Sequence, residues 1–330
     1  MKPGLLVRKR SVEPRAPAPR PNDATTVSGH RRSRWRKDRV LIGLAAPGFL
    51  AVVLFNYVPL LGNVVAFQDF QPYLGVAGSQ FIGFDNFDII ISGDAEFLNA
   101  LRNTLVITFI QVVLVFPLPI CLALLLNSLM NDRVKVLVQS VLYLPHFLSW
   151  VIVVALFQNM FGATGQFNSI LAATGLPGVT IMGVPELFKA VITSQVIWKD
   201  TGWSAIIYLA ALSRVDTNLY EAAALDRAGP WQRLWHVTLP AIRPVIILLL
   251  ILKLGDALSV GFEQILLQQA PVGTSVSEVL DTYVYNNGIV GQNWGVAAAI
   301  GLVKGIVGVI LVLAANRVAH VFGERGVYQR

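Results

Sequence analysis

The sequence predicts an all-α, polytopic membrane protein with six transmembrane helices, and two observations support this fold class. Hydrophobic residues make up 55% of the chain and charged residues only 14%, whereas about 25% of the residues in a soluble domain are charged. The chain also contains long apolar stretches, each sufficient to cross a bilayer, which takes roughly 20 residues. There are six, at residues 40–66, 101–129, 136–161, 187–213, 242–262 and 294–318.

The stretches differ in how continuous they are. Prolines in the second and third (Pro117, Pro119 and Pro145) each remove a helix hydrogen bond, which predicts kinks. Lys199 with Asp200 interrupts the fourth stretch, and Lys304 interrupts the sixth.

The 330-residue chain is predicted to have three parts. Residues 1–39 are rich in Lys and Arg and account for most of the net charge of +7; they predict a basic, disordered tail that contacts anionic lipid. No nucleic-acid-binding motif accompanies this basic run, so nucleic acid is not expected as a partner. Residues 40–320 form the transmembrane domain. Its first apolar run is longer than the roughly 7–15 residues of a signal peptide core, so we expect it to be retained. Residues 321–330 form a short C-terminal tail.

The positions of the basic residues predict the orientation. Segments 67–100 and 263–293 contain no Lys or Arg, whereas segment 214–244 and both ends of the chain contain several. Because cytoplasmic loops carry the excess of basic residues, the first two segments are expected outside the cell. Both termini and segment 214–244 are then cytoplasmic, in a multi-pass protein of the inner membrane. An even number of spans requires the termini to share one side, in agreement with this result.

Segment 214–244 predicts a helix, a break and a second helix at the cytoplasmic surface. Asn218 precedes Glu221 by three residues, the spacing of a capping box. Gly229 followed by Pro230 indicates that one helix ends and another begins. Trp231 and Trp235 fall on one face of the second helix. Such a polar element between two spans is suited to docking another protein.

This segment resembles the EAA loop of ABC-importer permeases, on the residues Glu221-Ala222-Ala223, Gly229 and Leu239-Pro240. The likeness is to the carbohydrate branch, because residues 198–212 and 281–288 also resemble its oligosaccharide subgroup. One departure is visible, since the family usually has Gly directly after the Asp of this loop, where this chain has Arg227.

The resemblance implies the inner-membrane permease subunit of an ATP-driven, binding-protein-dependent importer for a sugar or oligosaccharide. The implied partners are a second homologous permease, two ATP-binding subunits and an extracytoplasmic solute-binding lipoprotein. Segment 214–244 would be a cytoplasmic coupling-helix loop that passes the ATPase motion to the spans. The residues implied in this coupling are Glu221, Ala222, Ala223, Asp226, Gly229, Trp231, Leu239 and Pro240.

Charged and aromatic residues inside the fourth and fifth stretches are candidates for solute binding. A charge at the bilayer centre costs about 2.5–3.5 kcal/mol on insertion scales, so it normally faces the bundle interior or a watery cavity. A sugar presents hydroxyls to polar groups and a C–H face to an indole, and Lys199 with Trp203 offers both at i,i+4 spacing. Interhelical ion pairing of the charges, and plain packing of the tryptophans, are the alternatives. The candidates are Trp198, Lys199, Asp200, Trp203, Lys253 and Asp256.

The sequence offers no constellation for catalysis. It has no phosphate-binding loop of the form G-x-x-x-x-G-K-[ST], so ATP and Mg²⁺ are expected on partner subunits and no cofactor is expected in this chain. Cys121 is the only cysteine, and the four histidines show no metal-ligand spacing; no metal site is expected. The intramembrane charges leave one other function open, an ion-coupled secondary transporter acting alone.

Overall fold

The computed structural model describes residues 27–129, 131–321 and 323, and these are mostly helical. The α-helices are α1 (Val27–Val52), α2 (Gly75–Gly78), α3 (Asp88–Ile91), α4 (Ala95–Ile110), α5 (Pro117–Asn127), α6 (Asp132–Tyr143), α7 (Trp150–Phe161), α8 (Gln166–Ala173), α9 (Phe188–Leu212), α10 (Thr217–Leu225), α11 (Pro230–Arg233), α12 (Leu239–Gly255), α13 (Phe262–Leu266), α14 (Gln269–Val272), α15 (Thr274–Ser277), α16 (Leu280–Tyr285) and α17 (Trp294–Val321). Two short strands, β1 (Gln68–Asp69) and β2 (Gln80–Phe81), pair antiparallel within predicted extracytoplasmic segment 67–100.

The chain divides into two compact units, Met1–Gly62 and Asn63–Arg330. The described part of the first unit is essentially α1 and its continuation. Helix α1 begins at Val27, so residues 27–39 of the predicted disordered tail are helical, continuous with the first span. Residues 1–26, and most of the C-terminal tail, lie outside the described residues.

Five segments of the described chain are long and apolar enough to span a membrane. Helix α9 is not among them, although its 25 residues are sufficient in length. It carries Lys189, Lys199 and Asp200, and these charges lower its hydropathy. The predicted number of six is therefore not confirmed by composition. The five segments are Leu41–Phe67, Ala95–Asn127, Trp150–Ala173, Pro230–Gly255 and Trp294–Val321.

The third apolar stretch differs most from its prediction as one helix. Helix α6 ends at Tyr143, a 3-10 turn covers Leu144–Phe147, and α7 begins at Trp150. The turn contains Pro145, and the Ser149 side chain accepts a hydrogen bond from the Ile152 N–H to start the new helix. Stretch 136–161 is thus two helices joined by a break. The candidate span Trp150–Ala173 is itself interrupted between α7 and α8, at residues 162–165.

Prolines change the helices in a second way. Pro59, Pro117 and Pro240 each follow a five-residue π-helical segment by two positions. Proline has no N–H for the carbonyl four residues earlier, and the wider π turn accommodates this loss without ending the helix. The kink predicted in the second span is thus a π-helical segment, Gln111–Val115, between α4 and α5.

Helix α9 is at the centre of the second unit. Its C-terminal half packs in one apolar cluster with α5 and α12, through residues such as Ala123, Tyr208 and Ile242. Its N-terminal half shares a second cluster with Ile107 of α4 and with the segment that follows α12. Gly202 lies so close to α6 that a Cβ there would be 2.1 Å from the Leu142 carbonyl oxygen. Helix α9, which carries three charges, therefore has ten buried residues, as expected for a charged helix that faces the interior of a bundle.

Candidate coupling loop and transmembrane polar site

The cytoplasmic loop has the predicted helix-break-helix form, with one difference at its start. Helix α10 begins at Thr217, and Asp216 is its N-cap, with a carboxylate oxygen that accepts from the Asn218 N–H at 2.9 Å. Asn218 is therefore the second residue of the helix and not its cap. Asp216 is also a preferred capping residue two positions earlier, which the capping-box spacing from Glu221 did not reveal.

The break between the two helices depends on backbone conformation. Arg227 has a φ of +56°, a left-handed conformation that glycine adopts without steric cost and other residues rarely adopt. The left-handed backbone conformation at this position, and not close packing, therefore explains why the similar family usually has glycine here. Gly229 and Pro230 then start α11, and the Gly229 N–H donates to the Gln232 side-chain oxygen at 2.8 Å.

Two side-chain contacts fix the loop to the fifth span. The Arg233 Nε donates to the Ala228 carbonyl oxygen at 2.9 Å, which closes the break. The Tyr220 hydroxyl lies 3.0 Å from the Thr238 hydroxyl, which joins α10 to the second helix. Since Pro230–Gly255 is one continuous helical segment, this contact connects α10 to the fifth span.

The outer surface of the loop is apolar and aromatic. Leu225, Trp231 and Trp235 are 86%, 71% and 59% exposed, and the two indole rings lie 6.4 Å apart, edge to face. Glu221 and Asp226 are exposed beside them. Grouped exposed apolar side chains with polar neighbours are typical of a protein interface. We call this group, Glu221, Leu225, Asp226, Trp231 and Trp235, the loop patch.

The remaining predicted coupling residues differ in their surroundings. Ala222 and Pro240 are exposed, and Ala223 and Gly229 are half-buried. Leu239 instead packs against the apolar cluster of α5, α9 and α12. Its position indicates that it anchors the second helix to the bundle.

A polar site lies where the break in the third stretch meets α9. His146 Nδ1 is 2.9 Å from an Asp200 carboxylate oxygen. The imidazole of His146 stacks on the Trp203 indole, with centroids 4.6 Å apart and planes within 2°. Phe147 meets the same indole edge to face at 5.6 Å. Trp203 is nevertheless 41% exposed, so part of the ring remains accessible. We call His146, Asp200 and Trp203 the polar site.

Lys199 does not present its charge beside Trp203, as its spacing had suggested. It is buried, and its ammonium donates to the carbonyl oxygens of His146 and Leu148, both at 2.6 Å. It also lies 5.4 Å from the Trp150 ring centroid, within cation–π range. A buried ammonium requires acceptors, and the chain break supplies two.

The other candidates extend the polar region away from α9. Lys253 donates to the Gln111 side-chain oxygen at 2.9 Å, and it is within electrostatic range of both Asp256 and Asp200. Asp256 is exposed just after α12. It lines a cavity of about 760 Å³ that also contains the ion pair between Lys304 and Asp281.

The candidates therefore separate into groups. The structure brings Asp200 and Trp203 together on His146, bonds Lys253 to Gln111, and bonds Lys199 to the backbone. Trp198 packs edge to face on Phe157 at 5.9 Å, outside the polar site. Interhelical ion pairing was the alternative for these charges, and among the described residues only Asp200 forms such a pair, with His146, whereas Lys199, Lys253 and Asp256 have no carboxylate or ammonium partner there.

Sequence reasoning missed His146, the residue that organises the polar site. The four histidines show no metal-ligand spacing, so that criterion did not single out His146. Its position directly after Pro145 within an apolar stretch was the available signal, because a helix break exposes backbone and side chains that can line a site.

Comparison with known proteins gives consistent findings. The family described as "Binding-protein-dependent transport system inner membrane component" matches residues 115–325. The polygalacturonan/rhamnogalacturonan transport system permease protein YteP of Bacillus subtilis (strain 168) is 42% identical over 324 residues, which cover 97% of this chain and 100% of that protein.

Solved structures agree with this match. One chain in the crystal structure of a bacterial alginate ABC transporter, in complex with an alginate pentasaccharide-bound periplasmic protein, superposes with a TM-score of 0.80. Its sequence identity is 34%, and the alignment covers 89% of this chain and 99% of that one. A second structure, of a bacterial ABC transporter involved in the import of the acidic polysaccharide alginate, has a TM-score of 0.79 at 34% identity, covering 88% of this chain and 98% of that chain.

Proposed function

Because the chain belongs to the family of binding-protein-dependent transport system inner membrane components, we propose that it is the permease subunit of an ATP-driven importer of an oligosaccharide. The loop patch is the observation that carries this proposal. It combines an exposed aromatic surface with hydrogen bonds that connect the loop to the fifth span, the two properties that a coupling element needs.

In the assembly that we propose, this chain pairs with a second, homologous permease. Two cytoplasmic ATP-binding subunits supply ATP and Mg²⁺, and the loop patch docks on one of them. An extracytoplasmic binding protein delivers the solute, and a relative of known structure was crystallised with a periplasmic protein. Helix α9 crosses the membrane in this arrangement, as the fourth of six spans, so that both termini are cytoplasmic and segments 67–100 and 263–293 are outside.

The transport cycle follows from the connection between loop and span. Closure of the two ATP-binding subunits around ATP would move α10, and the Tyr220–Thr238 contact would pass this motion to the second helix of the loop. Because that helix continues to Gly255, the displacement reaches Lys253 and Asp256 near its far end. Access to the polar region would thereby alternate between the two sides of the membrane.

The solute that we propose is an oligosaccharide, and acidic oligosaccharides are the first to test. The relatives are named for polygalacturonan and for alginate, an acidic polysaccharide. In this chain the accessible part of Trp203 offers a flat apolar surface, Asp200 and His146 offer hydrogen bonds, and Lys253 offers a cation for a carboxylate.

The coupling role is tested by Glu221→Lys, which reverses one charge on the loop patch. We expect solute-stimulated ATP hydrolysis of the assembled complex to be lost, while membrane insertion is unchanged. Glu186→Lys is the matched control, because Glu186 is also exposed but lies outside the loop. Full stimulation in Glu221→Lys, or equal loss in the control, would exclude the loop patch as the coupling element.

A further inference from the structure

We propose that Lys199 is a positioning residue of the polar site, and that it acts by holding the break between α6 and α7 against α9. The inference rests on the proposed function, because it gives a role to a side chain beside the proposed solute site. Lys199 is only 7% exposed, and its ammonium is already bonded to the backbone, so it does not itself meet the solute.

The break exposes two carbonyl groups that no helix satisfies. Leu148 and Ser149 have extended backbone conformations, so the helical hydrogen-bond pattern stops there. In a low-dielectric interior an unsatisfied carbonyl destabilises the fold. Lys199 satisfies the carbonyls of His146 and Leu148 with one cation, and this favours the broken conformation over a continuous helix.

His146 is held to α9 at two points. Its carbonyl oxygen accepts from Lys199, while its ring bonds to Asp200 and stacks on Trp203. Lys199, Asp200 and Trp203 lie within one five-residue stretch of α9. This short stretch therefore contacts both the backbone and the ring of His146. Removal of the ammonium would leave the ring contacts to hold the break alone, and the imidazole would lose its flat placement on the indole.

The test is a double-mutant cycle on the complete reconstituted importer, with Lys199→Met, His146→Ala and the double variant. The readout is the apparent KM for oligosaccharide uptake, normalised to the assembled complex recovered. If Lys199 acts through His146, each single variant raises KM on the order of ten-fold, and the double variant raises it no further than either single one.

Lys189→Met is the matched control. Lys189 is on the same helix and also donates to a backbone carbonyl, that of Val276 at 3.3 Å, which is outside the polar site. The fold-increases in KM caused by Lys189→Met and by His146→Ala should multiply in the variant that carries both. If Lys199→Met does not assemble, Lys199→Gln, whose shorter amide keeps N–H donors without the charge, takes its place in the same cycle.

Three results would overturn the positioning role. Multiplicative effects of Lys199→Met and His146→Ala would show independent action. A lower yield of complex with an unchanged KM, or no change in either quantity, would show that Lys199 does not position His146. An unchanged KM in His146→Ala is a separate failure, because it would remove the proposed solute site itself.

Discussion

Gly202→Ala should destabilise the protein, because α6 and α9 meet at this residue without room for a side chain. The added methyl carbon would lie 2.1 Å from the Leu142 carbonyl oxygen and 2.6 Å from its carbonyl carbon. The first contact is about 1.3 Å shorter than the 3.4 Å at which ordinary van der Waals contact begins. Both atoms belong to backbone, so the helices themselves must separate.

The expected cost is about 1–3 kcal/mol, the usual range for overpacking a well-packed interior. Separation of α6 from α9 would also displace His146, four residues beyond Leu142, so loss of the polar site should accompany the loss of stability. The assay is thermal unfolding of the purified chain in detergent, where Gly202→Ala should unfold several degrees below the native protein. Gly305→Ala is the control, since a Cβ at Gly305 meets nothing within 4 Å. Equal melting temperatures for the two variants would refute the close approach of α6 and α9.

The remaining predictions concern topology, pH and the loop. The topology can be tested in a variant in which Cys121 is replaced by Ser. Cysteines introduced at the exposed positions Tyr73 and Ser275 should react with an impermeant thiol reagent in intact cells, whereas a cysteine at Leu225 should react only after lysis. The reverse pattern of labelling would show the opposite orientation in the membrane. Burial raises the pKa of the Glu278 carboxyl in the extracytoplasmic segment above its ordinary value of 4.5. Ionisation therefore costs the folded state stability, and Glu278→Gln should gain stability over the native protein as the pH rises above about 4.5. A difference in melting temperature that does not change with pH would contradict this. Arg227→Val should lower the melting temperature of the complex and Arg227→Gly should not, because only glycine adopts a φ of +56° freely; equal effects would argue against a left-handed residue.

The sequence predicted the cytoplasmic loop well, because the loop is governed by local rules. Gly229 and Pro230 specify where one helix ends and the next begins, and the structure has this break. Hydropathy likewise located the first, second and sixth stretches, which coincide closely with candidate spans of the structure. The start of α10 was misplaced by two residues because two capping residues, Asp216 and Asn218, lie close together.

The polar site could not be predicted in the same way, because it depends on contacts between distant parts of the chain. The bond between His146 and Asp200 joins residues 54 apart. Hydropathy did not distinguish one long helix at 136–161 from two helices with a break, since both contain the same apolar residues. Lys199 was expected to face a solute or another charge, and the carbonyls that it satisfies exist only because the break does.

The ion-coupled secondary transporter is no longer required to explain the intramembrane charges. The family of the chain is that of binding-protein-dependent systems. The structure also gives partners to three of these charges, with Lys199 on backbone carbonyls, Lys253 on Gln111 and Lys304 on Asp281.

The central claim is that the polar site binds the solute that the loop patch helps to drive across the membrane. The most direct measurement is ATP-dependent uptake of an acidic oligosaccharide, such as oligogalacturonate, by proteoliposomes that contain the complete importer and its binding protein. Trp203→Ala is compared with Trp198→Ala, because both tryptophans are on α9 and both are 41% exposed, but Trp198 packs only on Phe157 among its described ring contacts. We expect Trp203→Ala to lower uptake per assembled complex by roughly ten-fold, the equivalent of about 1.4 kcal/mol, and Trp198→Ala largely to retain it. Normal uptake per complex in Trp203→Ala would show that the polar site does not bind the solute.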